Sequence, residues 1–385
     1  MPGRHQHVNL HTPRRTGVPR HAIPLITSAA ALLLAGCGAI DSVGGSGSSA
    51  SPEKGDDITV GLLLPDTDTA RFEKFDRPLI AKRVASLTHG KGKVRYANAG
   101  SSAATQSRQF AQMISARADV ILVDAVDSKA IAPEVQKAKD AGIPVIAYDR
   151  LAEGPIDGYV SHDNELVGEV QGRAIVDALG EKAGTSKIVM VNGSPADPNT
   201  ARFHEGAISE LKGRVVVAKS YYTKEWLPQV AKANMQKAIQ AVGLNNIAAV
   251  YSANDGMAGA VIDALKEAGV HKMPPVTGQD ADLAAVQRIV AGEQRMSVYK
   301  SFLLEATGAA DMAVAKVQGK AIEFDALAQD SVDSPTQKAI PAQLVPVVAL
   351  TKENIKATVI KDGVYTVKDI CTAKYAADCA AIGLK

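Results

Sequence analysis

From Ile58 onward the chain alternates short β-branched apolar runs with stretches of helical period, and it does so in two rounds. In the first round, residues 58–64, 93–97, 120–123 and 143–148 read as strands. Residues 72–87, 105–117 and 131–141 between them read as helices. In the middle helix Phe110, Met113, Ile114 and Arg117 fall on one face. A helix over 163–179 opens the second round, followed by strands at 188–191, 215–218, 247–251, 276–278 and 295–299. Such alternation calls for parallel strands joined by right-handed crossovers. The expected fold class is therefore α/β, with two similar doubly wound parallel-sheet lobes. The stretch 143–164 links the rounds, with an extended run at 159–161 and a polar helix start at Asp163.

Ahead of Ile58 the pattern is different. Arg14, Arg15 and Arg20 precede an apolar stretch, 22–34, that ends in L-A-G-C at Cys37. A basic segment, a short apolar run and small residues form a secretory signal. The run is too short to span a membrane, which takes about 20 apolar residues. L-A-G-C looks like a bacterial lipobox, which makes Cys37 the lipid-bearing N-terminus, and Arg14-Arg15 hints at twin-arginine export. Residues 1–36 are thus read as a lipoprotein signal peptide and 37–56, rich in Gly and Ser, as a flexible tether. Export to an oxidising compartment predicts a disulfide between Cys371 and Cys379. With a net charge of +2 and no basic tract outside the leader, a nucleic-acid footprint is excluded.

In an open α/β sheet, small ligands bind at the carboxyl ends of the strands. Here those ends carry Arg71 and Phe72 after the first strand and Asp149 and Arg150 after the fourth. In the second round they carry Ser194, Asp197 and Asn199, then Asn254 and Asp255, Gln279 and Asp280, and finally Tyr299 and Lys300. Amides, carboxylates and cations of this kind hold vicinal hydroxyls bidentately. Aromatic rings such as Phe72 and Trp226 suit the C–H faces of a pyranose. The mixture points to a neutral polyol. Asp163, Asp255 and Asp197 also read as helix N-caps.

The segments Y-D-R, N-G-S-P-A-D-P-N-T-A-R-F, W-L-P, S-A-N-D, G-Q-D-A-D-L and V-Y-K, in this order and spacing, resemble periplasmic xylose-binding proteins. Those are substrate-binding subunits of ABC sugar importers, with the type I periplasmic-binding fold. The resemblance covers nearly all of 58–361. It implies that Arg71, Asp149 and Arg150 bind sugar from the first lobe, and Asp197, Asn199, Asn254 and Asp280 from the second. Lys300 would reach in from the hinge, and Phe72 and Trp226 would sandwich the ring. Two departures stand out: Phe72 occupies a place usually held by Trp, and the C-terminal segment with Cys371 and Cys379 has no counterpart in the members compared.

The resemblance further implies a three-segment hinge, with crossings near 159–163, 298–302 and 334–344. The N-terminal lobe would be 57–161 and 301–340, and the C-terminal lobe 162–300 and 341–385. The implied function is ABC import of an aldose, D-xylose first and glucose or another aldose as the alternative. Implied partners are the permease subunits and, through Cys37, the outer face of the cell membrane, with the protein monomeric. No cofactor or metal is implied. A sugar-responsive repressor of the same fold would need a DNA-binding helix-turn-helix where the lipobox stands. A glycosidase would need two carboxylates set across one bond, and nothing fixes the separation of Asp66, Asp68 and Asp76. No G-x-S-x-G, P-loop or metal-spaced His/Cys cluster occurs. A tethered sugar sensor remains open. The first-lobe and hinge residues supply three cations against Asp149, the second lobe Asp197 and Asp280, so attraction across the cleft is expected.

Overall fold

The computed structural model describes residues 54–384. The leader, Cys37 and nearly all of the tether lie outside the described residues. Twelve strands are present among them: β1 (Thr59–Leu64), β2 (Lys93–Asn98), β3 (Val120–Val123), β4 (Val145–Tyr148), β5 (Gly158–His162), β6 (Lys187–Asn192), β7 (Val216–Tyr222), β8 (Ala249–Ser252), β9 (Ser297–Lys300), β10 (Asp330–Val332), β11 (Ile340–Val345) and β12 (Val347–Leu350).

The first sheet runs β10-β11-β5-β4-β3-β1-β2, all parallel except β10. Its central strands β1, β3 and β4 are apolar on both faces, which the helices cover. On one face Leu62, Val120 and Ile146 pack under Ala306, Ala309, Ala310 and Ala313 of the helix Phe302–Val317. On the other, Ile121 and Val145 meet Phe110 and Val135. Each fully buried Leu or Ile contributes about 1.5–3 kcal/mol.

The second sheet has β7-β6-β8 in parallel order, and β12 pairs antiparallel with β9. The segment at 276–280 joins the two parts. Val276 bridges Val250, Val298 N–H donates to Gly278, and Asp280 N–H donates to Val298. The sequence pattern predicts a strand over 276–278; the structure has a single bridge there. The backbone turns at Asp280 (φ 92°) and Ala281 (φ 53°), where no ladder continues.

The last crossing also differs from expectation. β11 belongs to the first sheet, with Ala342 opposite Tyr159 and Val345 opposite His162. β12 belongs with β9, so the chain passes between sheets at Pro346 rather than before Leu344. Residues 340–350 are nearly all apolar, and Pro346 is the single residue between the two strands.

Two helices set the position of the second-lobe site residues. Asn164–Leu179 and Pro198–Leu211 lie so close that a Cβ on Gly168 would strike the Phe203 carbonyl, and one on Gly206 the Glu165 carbonyl. The glycines permit this approach. Cys371 and Cys379 are joined in a disulfide, Cα atoms 5.8 Å apart. The segment around it packs on Val286, Ile289 and Val290 of the helix Leu283–Ala291.

Candidate functional site

The carboxyl ends of the two sheets face one another across a cavity of about 30 Å³. All ten residues expected from sequence line it: Arg71, Phe72, Asp149, Arg150, Asp197, Asn199, Trp226, Asn254, Asp280 and Lys300. Thr69, Phe203 and Gln279 complete the lining.

Arg71 is 1% exposed and held from several sides. Its Nε and Nη2 donate to Asp76 at 3.0 and 2.6 Å, Nη2 also to Glu305, and Nη1 to Asp149 at 2.9 Å. Its guanidinium lies 4.5 Å from the centre of the Phe302 ring and 5.6 Å from that of Phe72. These bonds leave a single Nη1 hydrogen uncommitted. Tyr148 donates to Asp76, and His162 Nδ1 sits 3.3 Å from Glu305. Burial opposes ionisation of Glu305, but Arg71 and then His162 overcome it and hold its carboxyl at about 2. At Asp76 burial outweighs Arg71 and raises the carboxyl.

Asp149 links the lobes. Its carboxylate takes Arg71 on one side and Asn199 Nδ2 on the other at 3.1 Å. Its carbonyl accepts from Tyr159, Ser161 and Asn199. Asp149 holds φ 56°, Trp226 φ 59° and Asp280 φ 92°, left-handed conformations that cost a non-glycine residue of order 1–3 kcal/mol. Strain of this kind gathers where side chains must be aimed.

Arg150 pairs with Asp197 at 2.8 Å, while Asp124 and Asp66 stand 3.5 and 3.6 Å away. Asp197 caps its helix, accepting from the Asn199 N–H at 2.8 Å, and also accepts from Trp226 Nε1 at 3.0 Å. Trp226 lies directly on Gly193, where a Cβ would occupy the space of the indole. Asp124 is fully buried, and burial pushes its carboxyl well up although Arg150 opposes this. Asn254, not Asp255, caps the helix Asp255–Glu267, with Oδ1 taking the Met257 N–H at 2.9 Å. Asp255 instead accepts from Ser297, Gln294 and the Asp282 N–H beneath the site. Lys300 pairs with Asp280 at 2.9 Å and lies 3.9 Å from Asp149.

The charge sums expected across the cleft do not survive. Asp66, Asp76 and Glu305 sit among the first-lobe cations, which are therefore already compensated on their own side. Sequence reasoning also left out Phe203 and Asp124. Phe203 lies one helical turn beyond Asn199 and Asp124 directly follows the apolar run 120–123, so both were within reach of the strand-end and helical-spacing rules. Gln279 sits beside Asp280 at the same strand end.

Direct ion pairs hold the carboxylates, and their geometry suits hydroxyl recognition: planar acceptors and donors facing one another, with Phe72, Phe203 and Trp226 supplying apolar surface. Residues 60–321 match the family model described as a periplasmic binding protein domain. The D-xylose-binding periplasmic protein of Escherichia coli (strain K12) is 35% identical over 313 residues, 80% of this chain and 91% of that protein. The D-xylose-binding periplasmic protein of Haemophilus influenzae is 36% identical over 320 residues, 82% of this chain and 92% of that one. Among solved structures, an ABC transporter solute binding protein from Clostridium phytofermentans with bound β-D-glucose aligns with a TM-score of 0.74. It is 27% identical and covers 81% of this chain and 99% of its own. The chain belongs to the periplasmic binding protein family, and is a binding protein rather than an enzyme.

Proposed function

We propose that the protein captures an aldose, D-xylose first, between its lobes and delivers it to the permease of an ABC importer. The observation that carries this reading is that all ten residues singled out from sequence converge on one cavity. Their chemistry is that of hydroxyl recognition: Asp149, Asp197 and Asp280 accept, Asn199 and Asn254 do both, and Arg71, Arg150 and Lys300 donate. Phe72 and Trp226 would take the two faces of the ring. A cavity of about 30 Å³ holds a water or two rather than a sugar. Entry therefore requires the lobes to part, and the ligand replaces contacts such as Arg150 to Asp197 as they close again.

The preference for xylose rests on the relatives named for it, and the glucose complex keeps glucose as the rival. Calorimetric titration across pentoses and hexoses decides the matter. Xylose should bind most tightly; a higher rank for glucose or ribose reassigns the sugar, and no binding to any aldose overturns the reading. The same proposal has the protein act as an exported monomer, anchored by lipid on Cys37. The intact mass of the mature protein from membranes should show a diacylated N-terminal cysteine, and an unmodified chain would remove the anchor.

A further inference from the structure

One tyrosine of the C-terminal segment touches the structures behind both sides of the cleft. Tyr365 is 5% exposed and belongs to the cluster that Ile355, Val359, Ile370 and Cys379 form with Ala281 and Ile289. Its ring meets Phe75 edge-on, centroids 6.1 Å apart, and Lys74 Nζ stands 4.9 Å from its centre. Phe75 stacks in turn on Phe302 at 5.4 Å, the ring that lies against the Arg71 guanidinium. Lys74 and Phe75 lie in the helical turn Phe72–Asp76, which begins with Phe72 and directly follows Arg71. On the other side Tyr365 shares its cluster with Ala281, and Leu283 packs against that cluster, both just beyond Asp280.

We propose that Tyr365 is a positioning residue for the ligand cleft, clasping the turn that carries Arg71 and Phe72 in the first lobe to the loop that carries Asp280 in the second. The segment that bears it is anchored to the second lobe. Gln287 donates to the Asp369 carbonyl, Tyr299 donates to Asp362, and the Cys371–Cys379 bridge closes the chain over the same cluster. Its only reach toward the first lobe among these contacts is through Lys74 and Phe75. Parting of the lobes would separate those rings, so the contact stabilises the closed form selectively. A ligand that binds the closed form is then held in proportion to the closed population. The C-terminal segment, which has no role in lining the cavity, thereby sets how fast the cavity opens.

The inference rests on capture by closure as proposed above, and two measurements separate them. The first is small-angle X-ray scattering of the ligand-free protein; the second is the rate of xylose release by stopped-flow. Tyr365→Ala should raise the radius of gyration and speed release about tenfold or more. Lys74→Ala, at an exposed position, should do the same more weakly, about two- to threefold. Tyr365→Phe keeps the ring on Phe75 and Lys74 and should leave both properties near wild type, while Lys74→Ala, which opens no gap in the core, separates the clasp from a mere packing defect. If Tyr365→Ala fails to fold by circular dichroism, Lys74→Ala decides. Wild-type radius and wild-type release in both Tyr365→Ala and Lys74→Ala overturn the clasp. If the wild type binds no aldose, the functional reading fails, while scattering alone still tests the clasp.

Discussion

Arg150 Nε stands 2.8 Å from Asp197 Oδ2, a contact that joins the carboxyl end of β4 in one sheet to a helix start in the other. The same Asp197 oxygen accepts from the Trp226 indole, and its partner oxygen caps the helix. One carboxylate thus fixes a helix terminus, an aromatic wall and the approach of the lobes. Burial raises its pKa although Arg150 opposes this, so it retains its charge only at the expense of desolvation.

Asp280→Ala should weaken sugar binding by about ten- to a hundredfold. A charged acceptor of hydroxyl hydrogen bonds contributes roughly 1.5–3 kcal/mol, and Lys300 is left with only Asp149 at 3.9 Å. Calorimetry with wild-type affinity would take Asp280 out of the site.

Gly193→Ala should act first on Trp226. The added methyl must displace the indole or the Thr200 side chain, since it would overlap both. Sugar affinity should fall about tenfold through a lost stacking face, roughly 1.4 kcal/mol. Tryptophan fluorescence reads the displacement directly, because Trp226 is the only tryptophan in the sequence. An unchanged spectrum and affinity would mean that the indole is not held by Gly193.

Two carboxyls give the stability opposite pH slopes. Glu305 is held at about 2, below its ordinary 4.5, so the unfolded chain binds more protons in that interval. Its stabilisation is complete above the ordinary value and is lost as pH falls toward 2. Asp282 is pushed up to about 7 by burial and then by Asp280, against Arg288, Lys74 and Arg71. Its contribution is complete below its ordinary 3.8 and is lost as pH rises through about 7. Asp124, Asp197 and Asp255, raised chiefly by burial, act in the same sense as Asp282. The melting temperature of ligand-free protein should therefore fall on going from about pH 5 to pH 7.5. Asp282→Asn should reduce that fall and leave the acid limb in place. A slope identical to wild type would refute the assignment.

Reduction of Cys371–Cys379, or replacement of both by Ser, should cost roughly 2.5 kcal/mol for a loop of this length on the chain-entropy account. Denaturant melts of the double variant measure it. Alkylation without reductant, followed by intact mass, tests the bridge itself: two modified thiols would mean that it is absent in solution.

The alternation of strand and helix, and with it the parallel α/β class, was legible because both signals are local: β-branched runs of a few residues and apolar periods of one face. Which residues end strands was legible for a related reason, since parallel sheets bring their carboxyl ends to one side, but Ser194, Asp255 and Tyr299 do so without lining the cavity, and the set of ten is what the resemblance implies. What stands behind them was not. Arg71 meets Glu305 across 234 positions, Tyr148 meets Asp76 across 72, and Tyr365 reaches Phe75 from the far end of the chain. No period or spacing encodes such partnerships. The charge balance of the cleft depended on them, because Asp76 and Glu305 pair with Arg71, a cation that sequence alone set against Asp149 only. The crossing at Pro346 was likewise settled by which sheet β11 joins, a long-range pairing with β5. Sequence determined which strand ends face the cleft, because that follows from chain direction. Only the tertiary structure decided what charge they carry there and what holds them, because burial and long-range pairing set both.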